Sequence, residues 1–135
     1  MDSSDQSGVT TPGRTAHDRT DMLGLRAVAA LHALGQQMRL SVFRLLVRHE
    51  PCGMSVGAIA QIVQSPQNTI SAHLAVLARA QMVTSARQGR SVVYRADLRG
   101  IRWLIEFLLA DCCHGDVVSC ATMFSAARNT DCPTA

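Results

Sequence analysis

Residues 65–96 read SPQNTISAHLAVLARAQMVTSARQGRSVVYRA and contain the two patterns that best predict the architecture. In the first half, Ile70, Leu74 and Leu77 follow helical spacing and predict one buried helix face. In the second half, two short runs of β-prone residues flank Gln88-Gly89, which is typical of a β-hairpin. The sequence therefore predicts a helix that is followed at once by a hairpin.

Another helix is predicted just before this one. Ser55 is a good N-cap for it, and Ile59, Ile62 and Val63 are expected on its buried side. Ser65-Pro66 then predicts the start of the next helix, with serine as the N-cap and proline in the first helical position. Two helices joined by so short a turn form a candidate helix-turn-helix, and the hairpin after them makes it a winged helix.

Apolar periodicity predicts the remaining helices on both sides of this unit. In the first helix, the residues at helical spacing are Leu25, Val28, Ala29 and His32. The second has on one face Met38, Val42, Leu45 and Leu46. A last helix, from Leu98 to about Asp111, has a stripe formed by Ile101, Leu104, Ile105 and Leu108. We therefore expect a mainly α fold with a β-hairpin wing, in which His32 is a core histidine.

The last helix is apolar over more than one stripe. Trp103, Phe107 and Leu109 widen its apolar face beyond what the surface helix of a monomer needs. Such width favours a helix-on-helix dimer interface, although packing inside one small domain could use the same area. We therefore expect a dimer.

Positive charge is concentrated in one part of the chain. Residues 66–102 contain six arginines and a single acidic residue, Asp97, whereas the whole chain has a net charge of +3. A basic stretch of this kind is typical of phosphate binding, and the alternative is a merely solvated basic face. Together with the winged-helix pattern, it predicts binding to double-stranded DNA.

The candidate DNA contacts lie on the helix that begins at Ser65, just after its apolar stripe, and on the hairpin. Gln67 and Asn68 can read adenine edges through paired hydrogen bonds. His73 is expected either to hydrogen-bond a phosphate or simply to pack. The residues better suited to phosphate are Thr69, Ser71, Arg79, Arg87 and Arg90.

Three cysteines lie close together after the last predicted helix, at Cys112, Cys113 and Cys120. Thiolates select soft or thiophilic ions, which indicates arsenic(III), antimony(III) or zinc. Arsenic(III) takes three thiolates in a trigonal pyramid. Because consecutive helical residues point about 100° apart, the helix must end for the pair to converge, and Gly115 offers the turn that brings Cys120 back. We expect these three cysteines to bind a trivalent metalloid.

Three alternatives remain for the same cysteines. His114 could complete a tetrahedral zinc site of three sulfurs and one nitrogen. A vicinal disulfide between Cys112 and Cys113 would make a strained redox switch. The cysteines could also be small buried apolar side chains.

The chain resembles the ArsR/SmtB family of winged-helix, metal-responsive repressors over residues 22–110. The matching blocks are Met38-Arg39-Leu40 with Phe43-Arg44-Leu45-Leu46, residues 68–77 with their Ser-x-His-Leu core, and Arg87-Gln88-Gly89-Arg90 with Val93-Tyr94-Arg95. The resemblance implies a homodimer that binds a palindromic operator without any cofactor and dissociates when its inducer binds.

Two departures from the family pattern are informative. Gln81 stands where the family usually has glycine, so the end of that helix must be capped by another residue type. The best-known arsenic site of the family has paired cysteines in the first helix of the helix-turn-helix, where this chain has Ser55 and Gly57. A subset of arsenic-responsive members instead resembles this chain at Cys112-Cys113-His114-Gly115, with a third cysteine corresponding to Cys120.

Other classes of protein are not indicated. Cys113 and His114 are adjacent and have no third orienting group, so we do not expect an enzyme. No stretch approaches the about 20 apolar residues of a membrane span, and residues 1–21 lack the apolar segment of a secretory signal. We expect a cytoplasmic protein with no membrane partner. A winged helix that binds only protein is a further alternative, against which the basic 66–102 segment argues.

One folded domain with flanking segments accounts for the 135 residues. Residues 1–20 are rich in small polar side chains and predict a disordered arm. Residues 21–111 are expected to form the winged helix-turn-helix domain for DNA binding and dimerisation. Residues 112–135 are expected to form the thiol-rich, metalloid-binding segment and a tail.

Overall fold

The computed structural model describes residues 16–110, which form five helices and three short strands. Their order is α1 (Ala16–Leu34), α2 (Gln37–Arg48), β1 (Met54–Ser55), α3 (Val56–Val63), α4 (Gln67–Arg79), β2 (Val83–Gln88), β3 (Ser91–Ala96) and α5 (Leu98–Leu109). This is a winged helix-turn-helix, with α3 and α4 as the helix pair and β2 and β3 as the wing. The predicted fold class is confirmed.

The core lies between α2, α3 and α4. Ile70, Leu74 and Leu77 of α4 are fully buried, as predicted. From α2, Val42 and Leu46 meet the same core, and the predicted apolar face of that helix is confirmed. Burial of a large aliphatic side chain contributes about 1.5–3 kcal/mol, so these positions hold the helix-turn-helix together.

The α1 helix turns an unexpected face inward. Its buried residues are Ala27, Ala30 and Ala33, whose small side chains allow α2 and α4 to approach closely. His32 is exposed, so the prediction of a core histidine was wrong. The helix also begins at Ala16 and thus takes up the last five residues of the arm predicted for residues 1–20.

A hydrogen bond from α2 holds the end of α1. The Nε of Arg39 donates to the carbonyl oxygen of Ala33 at 2.7 Å. The last carbonyls of a helix have no partner within it and form the negative end of its dipole, so a guanidinium stabilises them.

Of the two N-caps predicted for α3 and α4, the structure confirms the first and not the second. The hydroxyl of Ser55 accepts from the backbone N–H of Ala58 at 3.2 Å, which confirms the predicted N-cap of α3. The N-cap of α4 is Pro66, not Ser65, because Pro66 has an extended backbone and the first helical residue is Gln67. Ile62 is exposed, contrary to prediction, since α3 buries Ile59 and Ala60 instead.

The wing is a hairpin to which a third strand is added. Its pairing runs from Val83 opposite Ala96 to Gln88 opposite Ser91, and Gly89 has the left-handed φ of 62° that the tight turn requires. The β1 strand, which the sequence did not predict, pairs with the other edge of β3. The base of the wing is therefore tied to the segment between α2 and α3.

The end of α4 is capped without glycine, as predicted. Gln81 has a left-handed φ of 61°, and the N–H of Met82 donates to the carbonyl oxygen of Leu77 at 2.9 Å. This six-to-one bond defines a Schellman motif, which usually has glycine where Gln81 stands. Gly100 in α5 packs directly on this turn, because a Cβ there would collide with the Gln81 carbonyl oxygen.

None of the helices within residues 16–110 is long and apolar enough to cross a membrane.

Candidate nucleic-acid interface

The outer face of α4 is polar and open. Because Ile70, Leu74 and Leu77 point into the core, the other side of the helix is exposed. That side consists of Gln67, Asn68, Thr69, Ser71 and Ala72. The structure therefore brings four of the predicted DNA contacts together along the first two turns of one helix.

The remaining predicted residue inside α4 lies at the edge of this face. His73 is half-buried, and none of the described residues forms a hydrogen bond with its ring. It is adjacent to the buried Leu74 along the chain, so its ring is partly covered by the domain. Both roles predicted for His73, phosphate contact and packing, are compatible with this position.

A small residue of α3 faces the first side chain of α4. A Cβ at Gly57 would lie 3.3 Å from the Nε2 atom of Gln67. The glycine thus leaves room for the Gln67 side chain at the start of α4. Sequence reasoning noted Gly57 only as the position of a missing cysteine and did not detect this contact.

The arginines of the basic segment fall into two groups. Two are paired with carboxylates: Arg95 with Glu50 at 2.7 Å, and Arg102 with Glu106 at 2.9 Å. The other four have no carboxylate partner within residues 16–110, and they are Arg79, Arg87, Arg90 and Arg99. Three of these four are predicted phosphate contacts.

The two predicted contacts on the wing lie at its end. Arg87 is in the last part of β2, and Arg90 is in the turn itself. Both side chains are exposed. A guanidinium held away from carboxylates keeps its full charge for an approaching phosphate.

Arg95 has a structural role at the base of the wing. Its guanidinium donates two hydrogen bonds to the carboxylate of Glu50, at 2.7 and 3.3 Å. The hydrogen bond and the negative charge of Glu50 raise the pKa of Arg95. Glu50 precedes β1, so the pair joins the wing to that loop. Sequence reasoning missed Glu50, and no local pattern indicates a pair 45 residues apart.

Large apolar side chains are also exposed on α1 and α5, and we call this set of residues the α1/α5 face. It consists of Met22, Leu23, Leu25, Val28 and Leu31 on α1 and of Leu108 on α5. Leu25 and Val28 are 70% and 62% exposed, which is far more than large aliphatic side chains have in a core. The sequence predicted only the α5 part of this face.

Aromatic residues connect the two helices of this face. The guanidinium of Arg26 lies 4.0 Å from the ring centroid of Trp103, and Trp103 stacks on Phe107 at 5.5 Å. A cation over an aromatic ring contributes about 0.5–1 kcal/mol at an exposed site. The stack therefore fixes α5 against α1.

The candidate metalloid ligands Cys112, Cys113 and Cys120 lie outside the described residues, as does His114. Within residues 16–110, no group of three His, Cys, Asp or Glu side chains could hold a metal ion. The predicted thiol site remains a prediction that concerns the segment following α5.

The chain has sequence similarity to a helix-turn-helix family and to a transcriptional regulator. Residues 34–86 match a family described as a helix-turn-helix domain. The transcriptional activator HlyU of Vibrio cholerae is 29% identical over 83 residues, which span 62% of this chain and 74% of HlyU. The solved structure of HlyU from Vibrio cholerae aligns with this chain at a TM-score of 0.53 and 27% sequence identity. The alignment covers 66% of this chain and 95% of the HlyU chain.

Two other solved structures extend the comparison. Mb0332 of Mycobacterium bovis, described as a homodimeric winged helix-turn-helix DNA-binding domain and a possible ArsR-family regulator, has a TM-score of 0.57 at 25% identity. The match covers 83% of this chain and 94% of that one. A possible transcriptional regulator for arsenical resistance has a TM-score of 0.52 at 26% identity, covering 73% and 97%. These relatives are regulators and not enzymes, as predicted for this chain.

Proposed function

We propose that this winged helix-turn-helix chain is a cytoplasmic transcriptional repressor that binds operator DNA as a homodimer and is released by trivalent arsenic or antimony. The observation that best supports DNA binding is the combination of a polar outer face on α4 with Arg87 and Arg90 on the wing, neither of which pairs with a carboxylate of the described residues. A recognition helix needs base-reading side chains, and a wing needs cations for phosphate.

The proposed docking places the start of α4 in the major groove. Gln67 and Asn68 would read base edges there, and Thr69 and Ser71 would contact phosphate. Arg79 would extend these contacts from the last turn of α4. The wing would reach the backbone or minor groove with Arg87 and Arg90. Because the exposed N-terminal half of α4 is the part that enters a groove in such motifs, the polar face matches this geometry.

A dimer is proposed from the α1/α5 face. Solvated side chains such as Leu25 and Val28 gain about 25 cal/mol for each Å² of apolar area removed from water. A two-fold partner that covers this face would present two copies of α4 to successive major grooves. Mb0332, which has a similar fold, is described as homodimeric.

The inducer site is proposed at Cys112, Cys113 and Cys120. Three thiols match the coordination of arsenic(III), and the first of them comes three residues after α5 ends at Leu109. The similarity of the cysteine pattern to arsenic-responsive ArsR/SmtB members supports the assignment, as does the similarity to a possible regulator for arsenical resistance.

A mechanism follows from the place of the cysteines in the chain. Ligation would draw Cys120 to Cys112 and Cys113 and distort the end of α5, which forms part of the proposed dimer interface. The two copies of α4 would then no longer match the operator. The inducer acts only if it binds the DNA-incompetent arrangement more tightly, so the affinities for inducer and for DNA must oppose each other.

The test is fluorescence anisotropy of the reduced protein on a duplex from its own promoter, titrated separately with arsenite, antimonite and zinc. We expect arsenite and antimonite to release the DNA. Replacement of Cys112, Cys113 or Cys120 by Ser should leave DNA binding intact and weaken release, whereas Cys132→Ser serves as the matched control. Release that survives all three single replacements contradicts the proposed site.

Other outcomes assign the same cysteines differently. Release by zinc alone would bring His114 into a tetrahedral site. Release by an oxidant, reversed by a thiol, would indicate a redox switch. Because HlyU is named an activator, a promoter fusion that loses expression when the chain is deleted would replace repression by activation in the proposal.

A further inference from the structure

A cavity between α2 and α5 has no role in the DNA-binding or thiol proposals. Its volume is about 370 Å³, and its apolar lining consists of Phe43, Val47, Leu98 and Ile101. Cavities that hold small organic ligands fall in the range of about 300–1,000 Å³ and are mostly apolar with a few polar groups. The size and lining fit a ligand with a small apolar body.

Two exposed arginines border the cavity and contribute mainly the aliphatic parts of their side chains to its lining. Arg44 and Arg48 complete its lining and lie one helical turn apart on α2. Residues at this spacing lie on the same helix face, so both side chains border the same side of the cavity, where their guanidinium groups are within reach of a bound anion. Two like charges so close together repel each other unless an anion is present.

No carboxylate compensates these arginines within the described part of the chain. Glu50 pairs with Arg95, and Glu106 pairs with Arg102. Asp97, which precedes the cavity residue Leu98, caps α5 by accepting from two backbone N–H groups at 3.1 Å. Neither Arg44 nor Arg48 has an ion pair or hydrogen bond with the other residues of 16–110.

We propose that this cavity binds a small amphipathic carboxylate. The apolar chain or ring would lie on Phe43, Val47 and Ile101, and the carboxylate would accept from Arg44 and Arg48. The planar guanidinium matches a carboxylate through two parallel hydrogen bonds. A fully polar anion such as inorganic phosphate would leave the apolar floor uncovered, and a neutral apolar molecule would leave both charges without a partner.

This position would also allow the ligand to influence the rest of the molecule. The α2 helix packs on α4, and α5 contributes to the α1/α5 face. A ligand bridging α2 and α5 contacts both the support of the recognition helix and the proposed dimer helix. The binding proposal itself does not depend on DNA binding and is tested without DNA.

The experiment is isothermal titration calorimetry of the full-length reduced protein with octanoate, and with 1-octanol as the uncharged probe of equal chain length. We expect saturable octanoate binding in the millimolar range or tighter, because a ligand of about ten heavy atoms supports that affinity. Binding of 1-octanol should be about tenfold weaker, since charge-assisted hydrogen bonds contribute that factor or more.

Variants assign the binding to the cavity. The double replacement Arg44→Gln with Arg48→Gln should weaken octanoate binding about tenfold or more. Arg19→Gln, at an exposed position of α1, is the matched control and should bind as the unmodified protein does. Val47→Glu, at an exposed lining position, should abolish binding by placing a carboxylate in the cavity.

Three results overturn the proposal. The first is the absence of saturable octanoate binding, and the second is equal affinity for octanoate in the double variant and in Arg19→Gln. The third is octanoate binding that is detected only when the protein is diluted to concentrations at which it is monomeric. This result would mean that a second copy of the chain, and not a small ligand, occupies the cavity in the associated protein.

Discussion

The α1 and α4 helices use large apolar residues in opposite ways. In α4, Ile70, Leu74 and Leu77 are buried, and the polar side chains lie outside. In α1, alanines are buried, while Leu25 and Val28 are exposed to solvent. An apolar stripe therefore shows which side chains avoid water but not whether the core or another molecule covers them. The outer face of α4 suits a polyanion, and the outer face of α1 suits a second apolar surface.

The largest effect is expected from truncation of the α4 stripe. Leu74→Ala should lower the free energy of unfolding by about 2–5 kcal/mol, because it leaves a cavity in the core. Urea denaturation followed by circular dichroism measures the change. Leu25→Ala is the matched control and should shift the unfolding of the monomer by about 0.5 kcal/mol or less. Equal losses for the two variants would contradict the distinction between the helices.

A charged residue on the α1/α5 face is expected to affect association instead. Leu25→Glu should weaken the proposed dimer about 10- to 100-fold, because it replaces an apolar side chain worth about 1.5–3 kcal/mol on burial with a charge. Analytical ultracentrifugation over a concentration series measures this change. Val92→Glu, at an exposed position of β3 in the wing, should leave the association constant unchanged. A Leu25→Glu protein that associates as before would remove the basis for the dimer.

The smallest effect concerns the charge at the end of the wing. Arg90→Gln should weaken binding to all DNA sequences alike and reduce the slope of log affinity against log salt by about 0.9, the contribution of one phosphate contact. Anisotropy titrations at several salt concentrations measure the slope. Arg102→Gln is the control, because Arg102 is already paired with Glu106. A loss confined to one sequence would instead make Arg90 a base-reading residue.

Much of the fold was predictable where neighbouring residues define the geometry. The N-cap at Ser55 and the non-glycine turn at Gln81 depend on bonds within a few residues and were predicted correctly. The errors at Ile62 and Ser65 arose in the last turn of α3 and in the short connection to α4. Gln64 ends α3 in a left-handed conformation, and α4 begins one residue later than its sequence pattern predicts, with Pro66 as the N-cap.

The sequence predicted which residues belong to the candidate site better than it predicted how they are arranged and paired. The exposure of Gln67, Asn68, Arg87 and Arg90 follows from helical and hairpin periodicity. The division of the arginines into paired and unpaired groups does not follow from periodicity, because the pair of Arg95 and Glu50 joins residues 45 positions apart. The cavity beside Arg44 and Arg48 likewise requires α5 to return to α2. Such contacts depend on chain topology.

The sequence by itself determined the helix periodicities, the hairpin, the basic segment and the presence of three clustered thiols. These properties reside in residue types and their spacing, which the chain has before it folds. Only the tertiary structure decided that α1 buries alanines, that β1 extends the wing and that four arginines of the basic segment 66–102 have no carboxylate partner among the described residues 16–110. Burial and charge pairing depend on which elements that are distant in sequence contact each other, and the packing of the whole domain determines those contacts.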